Sequence, residues 1–402
     1  MKTFLNIIKW CIIYCCHYIS CLIPRSKRLW LYSSLAGKFV DNAKYLFIYA
    51  NKSNPEIRHV WICESDEVIN YLRERGYECY HKKSAKAIFL SLRASVQVYS
   101  SYSVDICNPA YSGGVFRFNL WHGTPLKKIE YDITKGPIRY LYYPTSFCEK
   151  VKRFIYSPPL TKKHHAAIAA SEKLKPIFCS AFRLKRENVV IGQHPRLMPF
   201  YWNRNDLIKH IHEFETKALE NLLVRFRSYD KVCVYMPTWR DSNPEFLAQA
   251  LPRFELLNKV CAQNNMLFLL KTHINTVFNE DVSMYSNIEL VDRNIDMYPL
   301  LPFTQILITD YSSIFFDYAL LKRRIIFYPY DLNEYLDASR EFYFSYDEIT
   351  KGSMIAYDFH QLLDLLSENN VVAEGDASCL DDYLNTTSDF DVTIKFIKQA
   401  IA

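Results

Sequence analysis

The chain has 402 residues, is 50% hydrophobic and 23% charged, and carries a formal charge of +6. That is ordinary globular composition, and the length exceeds what one core comfortably fills, so two domains are expected. The mild basicity fits an ordinary soluble protein or, alternatively, a basic surface for anionic lipid or a phosphorylated substrate; with no zinc-finger spacing and no long Lys/Arg run, nucleic acid is the weaker reading.

In chain order, the first element is an apolar run, residues 4–24, interrupted by Lys9 and His17 and followed by Arg25, Ser26, Lys27 and Arg28. It is borderline for the roughly 20 apolar residues that a spanning helix needs. No small-residue cleavage site follows it. Trp10, Tyr14 and Tyr18 are types that favour a membrane interface, so a helix lying in the interface fits best. A true span and an ordinary core helix are the alternatives, and each leaves the main body on the cytoplasmic side. The 12 cysteines include no CxxC pair, which fits reduced thiols rather than a disulfide framework or a zinc site.

Residues 59–65, 95–101 and 115–121 read as strands, with helical patterns at 67–76 and 84–94 between them. His164 and His165 lie in a basic polar stretch and read as solvated surface. Residues 171–182 read as a helix with Ser171 as its N-cap, and 187–195 as a strand ending in a turn. Residues 203–230 read as mostly one charged amphipathic helix. The expected domains are therefore a membrane-associated segment (1–28), an N-terminal domain (29–200), a linker helix (201–230) and a C-terminal domain (231–402). Beyond the linker, residues 231–239, 266–273, 287–292, 305–310 and 324–329 are apolar runs that end in polar residues. Continuous apolar runs suit strands buried on both faces of a parallel sheet. The alternation predicts two doubly wound α/β domains facing a cleft, with ligands at the carboxyl ends of strands.

Polar residues collect at four such ends: His122 and Thr124; Thr238 and Arg240; Lys271 and His273; and Asp310, Ser312 and Ser313. Ser312 or Ser313 can cap a helix whose N-terminus attracts an anion, or serve as a plain cap. Asp317 lies four residues after Ser313 and can face the same opening or stabilise the first turn. Arg240 suits a phosphate, or pairs with its neighbour Asp241 at the surface. A lone histidine is more often structural than catalytic, but two at strand ends across a cleft favour acid–base work. No carboxylate or second histidine sits at ligand spacing beside either, so no metal is expected. The chain has no GxxxxGK[ST] and no GxGxxG, which argues against a P-loop kinase or a simple dinucleotide dehydrogenase. The residues thus describe a two-domain α/β enzyme for a phosphorylated ligand.

Residues 37–46 (GKFVDNAKYL), 120–129 (LWHGTPLKKI), 192–196 (GQHPR), 235–241 (YMPTWRD), 269–273 (LLKTH) and 308–335 (ITDYSS through LNEY) together resemble the CDP-glycerol glycerophosphotransferase family, the primases and polymerases of teichoic acid and related capsule polymers. The resemblance covers roughly residues 35–355. It implies a GT-B-type fold of two Rossmann-like domains, with no cofactor and no metal. It implies transfer of glycerol phosphate from CDP-glycerol, or a related CDP-polyol, to a hydroxyl, releasing CMP. The acceptor it implies is a lipid-linked saccharide or polymer end at the inner leaflet of the membrane. By resemblance, His122 and His273 are the catalytic pair. The donor site would hold His122, Gly123, Thr124, Pro125, Leu126, Arg196, Pro237, Thr238, Arg240, Lys271, Thr272, His273, Asp310, Ser312, Ser313 and Asp317. Departures from the family pattern are Leu197-Met198, where Asn-Asp is usual, and Ile274, where proline is common; both leave the donor's polyol open. The length favours a primase-like or short capsule-type transferase. A glycosyltransferase using a nucleotide sugar on the same fold is the alternative enzyme, and an idle membrane scaffold is the alternative class.

Overall fold

A computed structural model describes residues 2–240, 243, 245–273, 276–278, 280–338, 341–368 and 378–402; Asp241 and Ile274 lie outside these. The chain divides into two compact units, Met1–His122 with Lys128–Met198 and Asn385–Ala402, and Gly123–Lys127 with Pro199–Leu384.

The first unit is built on strands β1 (Ser26–Ser33), β2 (Arg58–Cys63), β3 (Cys79–His81), β4 (Ala94–Tyr99), β5 (Phe116–Asn119), β6 (Ala166–Ala169) and β7 (Val189–Ile191). They form one sheet in the order β3-β2-β1-β4-β5-β6-β7, and every pairing is parallel. The second unit carries β8 (Lys231–Tyr235), β9 (Met266–Leu270), β10 (Ile288–Leu290), β11 (Ile306–Thr309), β12 (Arg324–Phe327) and β13 (Met354–Ile355). Their order is β10-β9-β8-β11-β12-β13, again all parallel. Both orders reverse direction beside the first strand of the unit, at β1/β4 and at β8/β11. This is the doubly wound arrangement whose carboxyl ends hold ligands at the reversal point. The apolar runs explain it: Leu31, Val60, Val96, Leu267, Leu269 and Leu307 are fully buried, as strands covered on both faces require.

Four local expectations change. The basic residues 25–28 are not a separate anchor: β1 starts at Ser26 and lies at the reversal point of its sheet. Arg25 donates to the carbonyls of Ser91 and Ala94 at 2.9 and 2.8 Å. The residues read as one linker helix form two, Arg204–Phe214 and Lys217–Phe226, both in the second unit. Glu215 is extended between them, and Thr216 caps the second by accepting from Leu219 N. Ser171 is not an N-cap. The helix begins at Lys175, with Pro176 in its first turn, where a missing N–H costs nothing. His164 is not solvated: it is buried, its Nδ1 is 2.8 Å from the Tyr99 hydroxyl, and burial lowers its pKa to about 3. His165 follows it, accepting from Arg117 N at 2.9 Å, with its pKa lowered to about 4 by burial.

The N-terminal run is helix α1 (Lys2–Ser20), and α2 (Asp41–Ser53) follows β1. No helix among the described residues is long and apolar enough to cross a membrane. One face of α1 packs on its own unit. Trp10 Nε1 donates to Ile155 O at 2.9 Å, Tyr14 stacks on Phe154, and His17 Nδ1 donates to Pro109 O at 2.8 Å. Gly113 lets the helix approach this closely, since a Cβ there would lie 2.2 Å from His17 O.

Candidate functional site

In the first unit the site is the turn after β5. Phe118 and Leu120 are fully buried and fix the strand end. The backbone then turns through Trp121 at φ 51° and Gly123 at φ 118°. The second value lies in territory that only glycine occupies easily. Between them His122 is exposed, with its ring stacked 4.0 Å from that of Trp121. Its Nδ1 lies 3.1 Å from Ser100 O. A carbonyl only accepts, so Nδ1 carries the proton and the neutral ring keeps its lone pair on Nε2. Although the residue is accessible to solvent, the protein around it displaces enough water to lower its pKa below the ordinary histidine value. Asp41 and the bond to Ser100 act in the opposite sense, and Arg196 adds to the lowering. The result is a neutral imidazole at physiological pH, which is the state a general base needs.

Arg196, expected on the donor, is instead turned inward. It is 6% exposed, donates through Nη1 to His122 O at 2.7 Å and pairs with Asp41 at 3.3 Å. Sequence reasoning passed over Asp41, Asn42 and Ser100, although the first two lie within the quoted GKFVDNAKYL stretch.

Gly123 to Lys127 belong to the second unit, where Thr124, Pro125 and Leu126 are buried. Leu126 O accepts from Tyr343 N at 2.9 Å, Lys127 bridges to Phe342, and its ammonium sits 4.9 Å over the Tyr335 ring. Elsewhere in this unit the predicted residues meet at the ends of β8, β9 and β11. Thr238 N donates to Asp310 Oδ1 at 2.8 Å, joining the loops after β8 and β11. Trp239 lies beside His273, with rings 6.1 Å apart, joining the loops after β8 and β9. Lys271 donates to Asp292 O at 2.6 Å. Ser312 and Ser313 are half-buried, and Pro237 and Thr272 are buried. The hydroxyls of Thr238 and Thr272 are buried without a hydrogen-bond partner among the described residues. Such groups mark a place where a polar ligand would be welcome.

Three expectations in this unit are corrected. Ser313 does sit at a helix start, but its hydroxyl makes no cap bond, and the helix, Ile314–Ala319, has only 6 residues. Its dipole is therefore weak, and any anion contact depends on the serines themselves. Asp317 is not an exposed group at the helix start: it is buried and accepts from the Tyr298 hydroxyl at 2.6 Å. Arg240 is no surface cation. It is 4% exposed and forms a fork to Asp331, Nε–Oδ2 2.7 Å and Nη2–Oδ1 2.9 Å. Its Nη1 lies 2.8 Å from Asp310 Oδ2 and donates to Thr238 O at 2.6 Å. Tyr311 and Tyr335 cover the guanidinium at 4.9 and 4.8 Å. Burial alone would lower the arginine's pKa, but the two carboxylates outweigh it and raise it. A guanidinium so engaged is a clamp that ties the loops after β8, β11 and β12 together, with Asp331 and Tyr311 as partners that sequence reasoning missed.

Among the described residues, no group of three His, Cys, Asp or Glu side chains is placed to hold a metal ion.

A family model for CDP-Glycerol:Poly(glycerophosphate) glycerophosphotransferase matches residues 15–385. A teichoic acid poly(glycerol phosphate) polymerase of Bacillus spizizenii is 29% identical over 356 residues, covering 83% of this chain and 82% of that one. A teichoic acid glycerol-phosphate transferase of Staphylococcus aureus is 28% identical, covering 82% of this chain and 81% of that one. The Bacillus subtilis polymerase is 26% identical, and the matched region spans only 43% of its length. In three dimensions, wall teichoic acid polymerase TagF superposes with a TM-score of 0.73 at 21% identity, covering 100% of this chain and 97% of that one. At that identity the likeness shows the fold. The family match spans nearly the whole chain and takes in both histidine turns, and the chain belongs to the CDP-glycerol:poly(glycerophosphate) glycerophosphotransferase family.

Proposed function

We propose that this glycerophosphotransferase moves glycerol phosphate from CDP-glycerol to a hydroxyl of a lipid-linked acceptor at the cytoplasmic face of the membrane, releasing CMP. The observation that carries the reading is the His122 turn, where Nδ1 is fixed on Ser100 O and the lone pair stays on Nε2. The acceptor oxygen attacks the phosphorus that bears glycerol, its proton passes to His122 Nε2, and the phosphorus–oxygen bond to CMP breaks. The departing CMP gains negative charge. His273, Ser312, Ser313, Thr238 and Thr272 are the donors and hydroxyls assigned to the diphosphate and ribose. The family description and a TagF structure from a CDPG soak support this choice of donor. Purified protein offered CDP-glycerol, CDP-ribitol and UDP-sugars with a lipid-linked acceptor should release CMP from the first. UDP release without CMP would instead make it a glycosyltransferase.

The membrane part of the proposal rests on α1. Phe4, Leu5, Ile8, Ile12 and Ile19 are all exposed and, at 3.6 residues per turn, share the face opposite Trp10, Ile13, Tyr14 and His17. A docked helix with an apolar outer face suits the headgroup boundary. Phe147 and Tyr156, at the ends of helix Phe147–Tyr156, which packs against α1, are exposed as well. Flotation with anionic vesicles tests it: the intact chain should rise with the lipid. A chain that stays at the bottom at low salt would refute membrane binding.

A further inference from the structure

We propose that Asp41 and Asn42, the first residues of α2, position His122 for proton transfer, acting through Arg196 and the backbone of Trp121. The proposal rests on His122 being the base. Three successive residues of α2 hold the turn from different sides. Asp41 Oδ1 engages Arg196 Nη1 at 3.3 Å, and the same nitrogen donates to His122 O at 2.7 Å. Asn42 Nδ2 donates to Trp121 O at 2.9 Å, while its Oδ1 accepts from Arg196 N at 3.0 Å. Ala43 N donates to Ser100 Oγ at 3.0 Å, and Ser100 O is the atom that orients the His122 ring. Backbone and ring of His122 are therefore both referred to one rigid element, which is what a precisely placed base requires.

Asp41 itself sits at φ 64°. A non-glycine residue tolerates that region only at a cost, and such residues persist where the surroundings over-determine them. Asp41 Oδ1 also accepts from Asn42 N at 2.7 Å, which fixes the carboxylate locally. The charged groups facing His122 are the carboxylates of Asp41 and Glu130, which favour the protonated ring, and the guanidinium of Arg196, which disfavours it. Asp41 is thus placed both to hold the turn and to stabilise the imidazolium that forms as the proton arrives.

The test follows CMP release from CDP-glycerol by the full chain across pH for Asp41→Asn, Asp41→Gly and Asp41→Glu, with His122→Ala alongside. Asparagine keeps the shape and tolerates positive φ; glycine removes the backbone cost as well as the charge. Asp41→Asn and Asp41→Gly should each lose about tenfold to a hundredfold in kcat, with KM for CDP-glycerol within about twofold. The acidic limb of the Asp41→Asn profile should move to lower pH, since a carboxylate that favours protonation is gone. Asp41→Glu should recover part of the rate and keep the limb near its original position. Near-normal kcat and an unmoved limb in Asp41→Asn and Asp41→Gly, with His122→Ala inactive, would overturn the proposal while sparing the base. Near-normal activity of His122→Ala would overturn the base assignment itself.

Discussion

Arg240→Met leaves two carboxylates without their cation. The side chain of Asp310 is fully buried and that of Asp331 is nearly so, and between them they take three of the guanidinium's close contacts, at 2.8, 2.7 and 2.9 Å. Breaking a buried ion pair by removing one partner costs about 3–5 kcal/mol. Here one cation serves two anions and a carbonyl, which places the loss in the upper part of that range. Methionine sulfur against Tyr311 and Tyr335 recovers on the order of 0.5–1 kcal/mol. A net loss of about 3–4 kcal/mol is expected. Arg240→Lys keeps a charge but not the fork, and should lose about half as much. Urea unfolding gives the global value, and hydrogen exchange of the β8, β11 and β12 amides reads the second unit directly. A loss under about 1 kcal/mol, the range of an exposed pair, would mean that Arg240 is solvated and that the clamp does not exist.

Other consequences are smaller in scope. His164 should make the protein acid-sensitive: the unfolded chain takes up its proton below about pH 6.5, while the folded chain resists until about pH 3. Stability should therefore fall as pH drops through that window, by up to about 1.4 kcal/mol per pH unit from this group, and be untouched above it. In His164→Gln the slope should flatten; an unchanged slope from urea titrations would contradict the assignment. Gly123→Ala puts a side chain at φ 118° and should cost about 1–3 kcal/mol and most of the activity; a fully active, stable variant would show that the turn needs no glycine. Ile8→Asp with Ile12→Asp should abolish vesicle binding without moving Tm by more than a few degrees, because both side chains face away from the body; undiminished flotation would exclude α1 as the contact. Lys162→Met removes the cation from the buried carboxylate of Glu130, 3.0 Å from the ammonium in the intact protein, leaving it the hydroxyls of Tyr102 and Tyr142, and should lose about 3 kcal/mol; a neutral result in urea unfolding would refute a buried pair.

Several of these features lay open in the sequence. The runs at 231–239, 266–273, 305–310 and 324–329 are apolar without alternation, which is how strands covered on both faces look, and they became β8, β9, β11 and β12. Their polar ends gave the loops that meet in the second unit. β1 was hidden because its first residues are Ser26, Lys27 and Arg28, which follow an apolar helix and imitate a membrane flank. β6 was hidden because Ala166–Ala169 is short and mostly alanine, with little β-propensity. The return of helix Val392–Ala400 to the first unit, against β7, leaves no local trace in its sequence. The two arginines show the limit most clearly. Their residue type announces an anion, but not which one. The carboxylates that occupy them, Asp41 for Arg196 and Asp310 with Asp331 for Arg240, lie far away in the chain and were invisible to spacing. Likewise, two adjacent histidines in a basic stretch look solvated until a tyrosine 65 residues upstream closes over one of them.

The central claim is that His122 and His273 carry glycerophosphate transfer. His122→Ala and His273→Ala, purified separately and shown to be folded by circular dichroism, should each lose at least about a hundredfold of acceptor-dependent CMP release from CDP-glycerol. Near-normal CMP release by both folded variants would contradict the account.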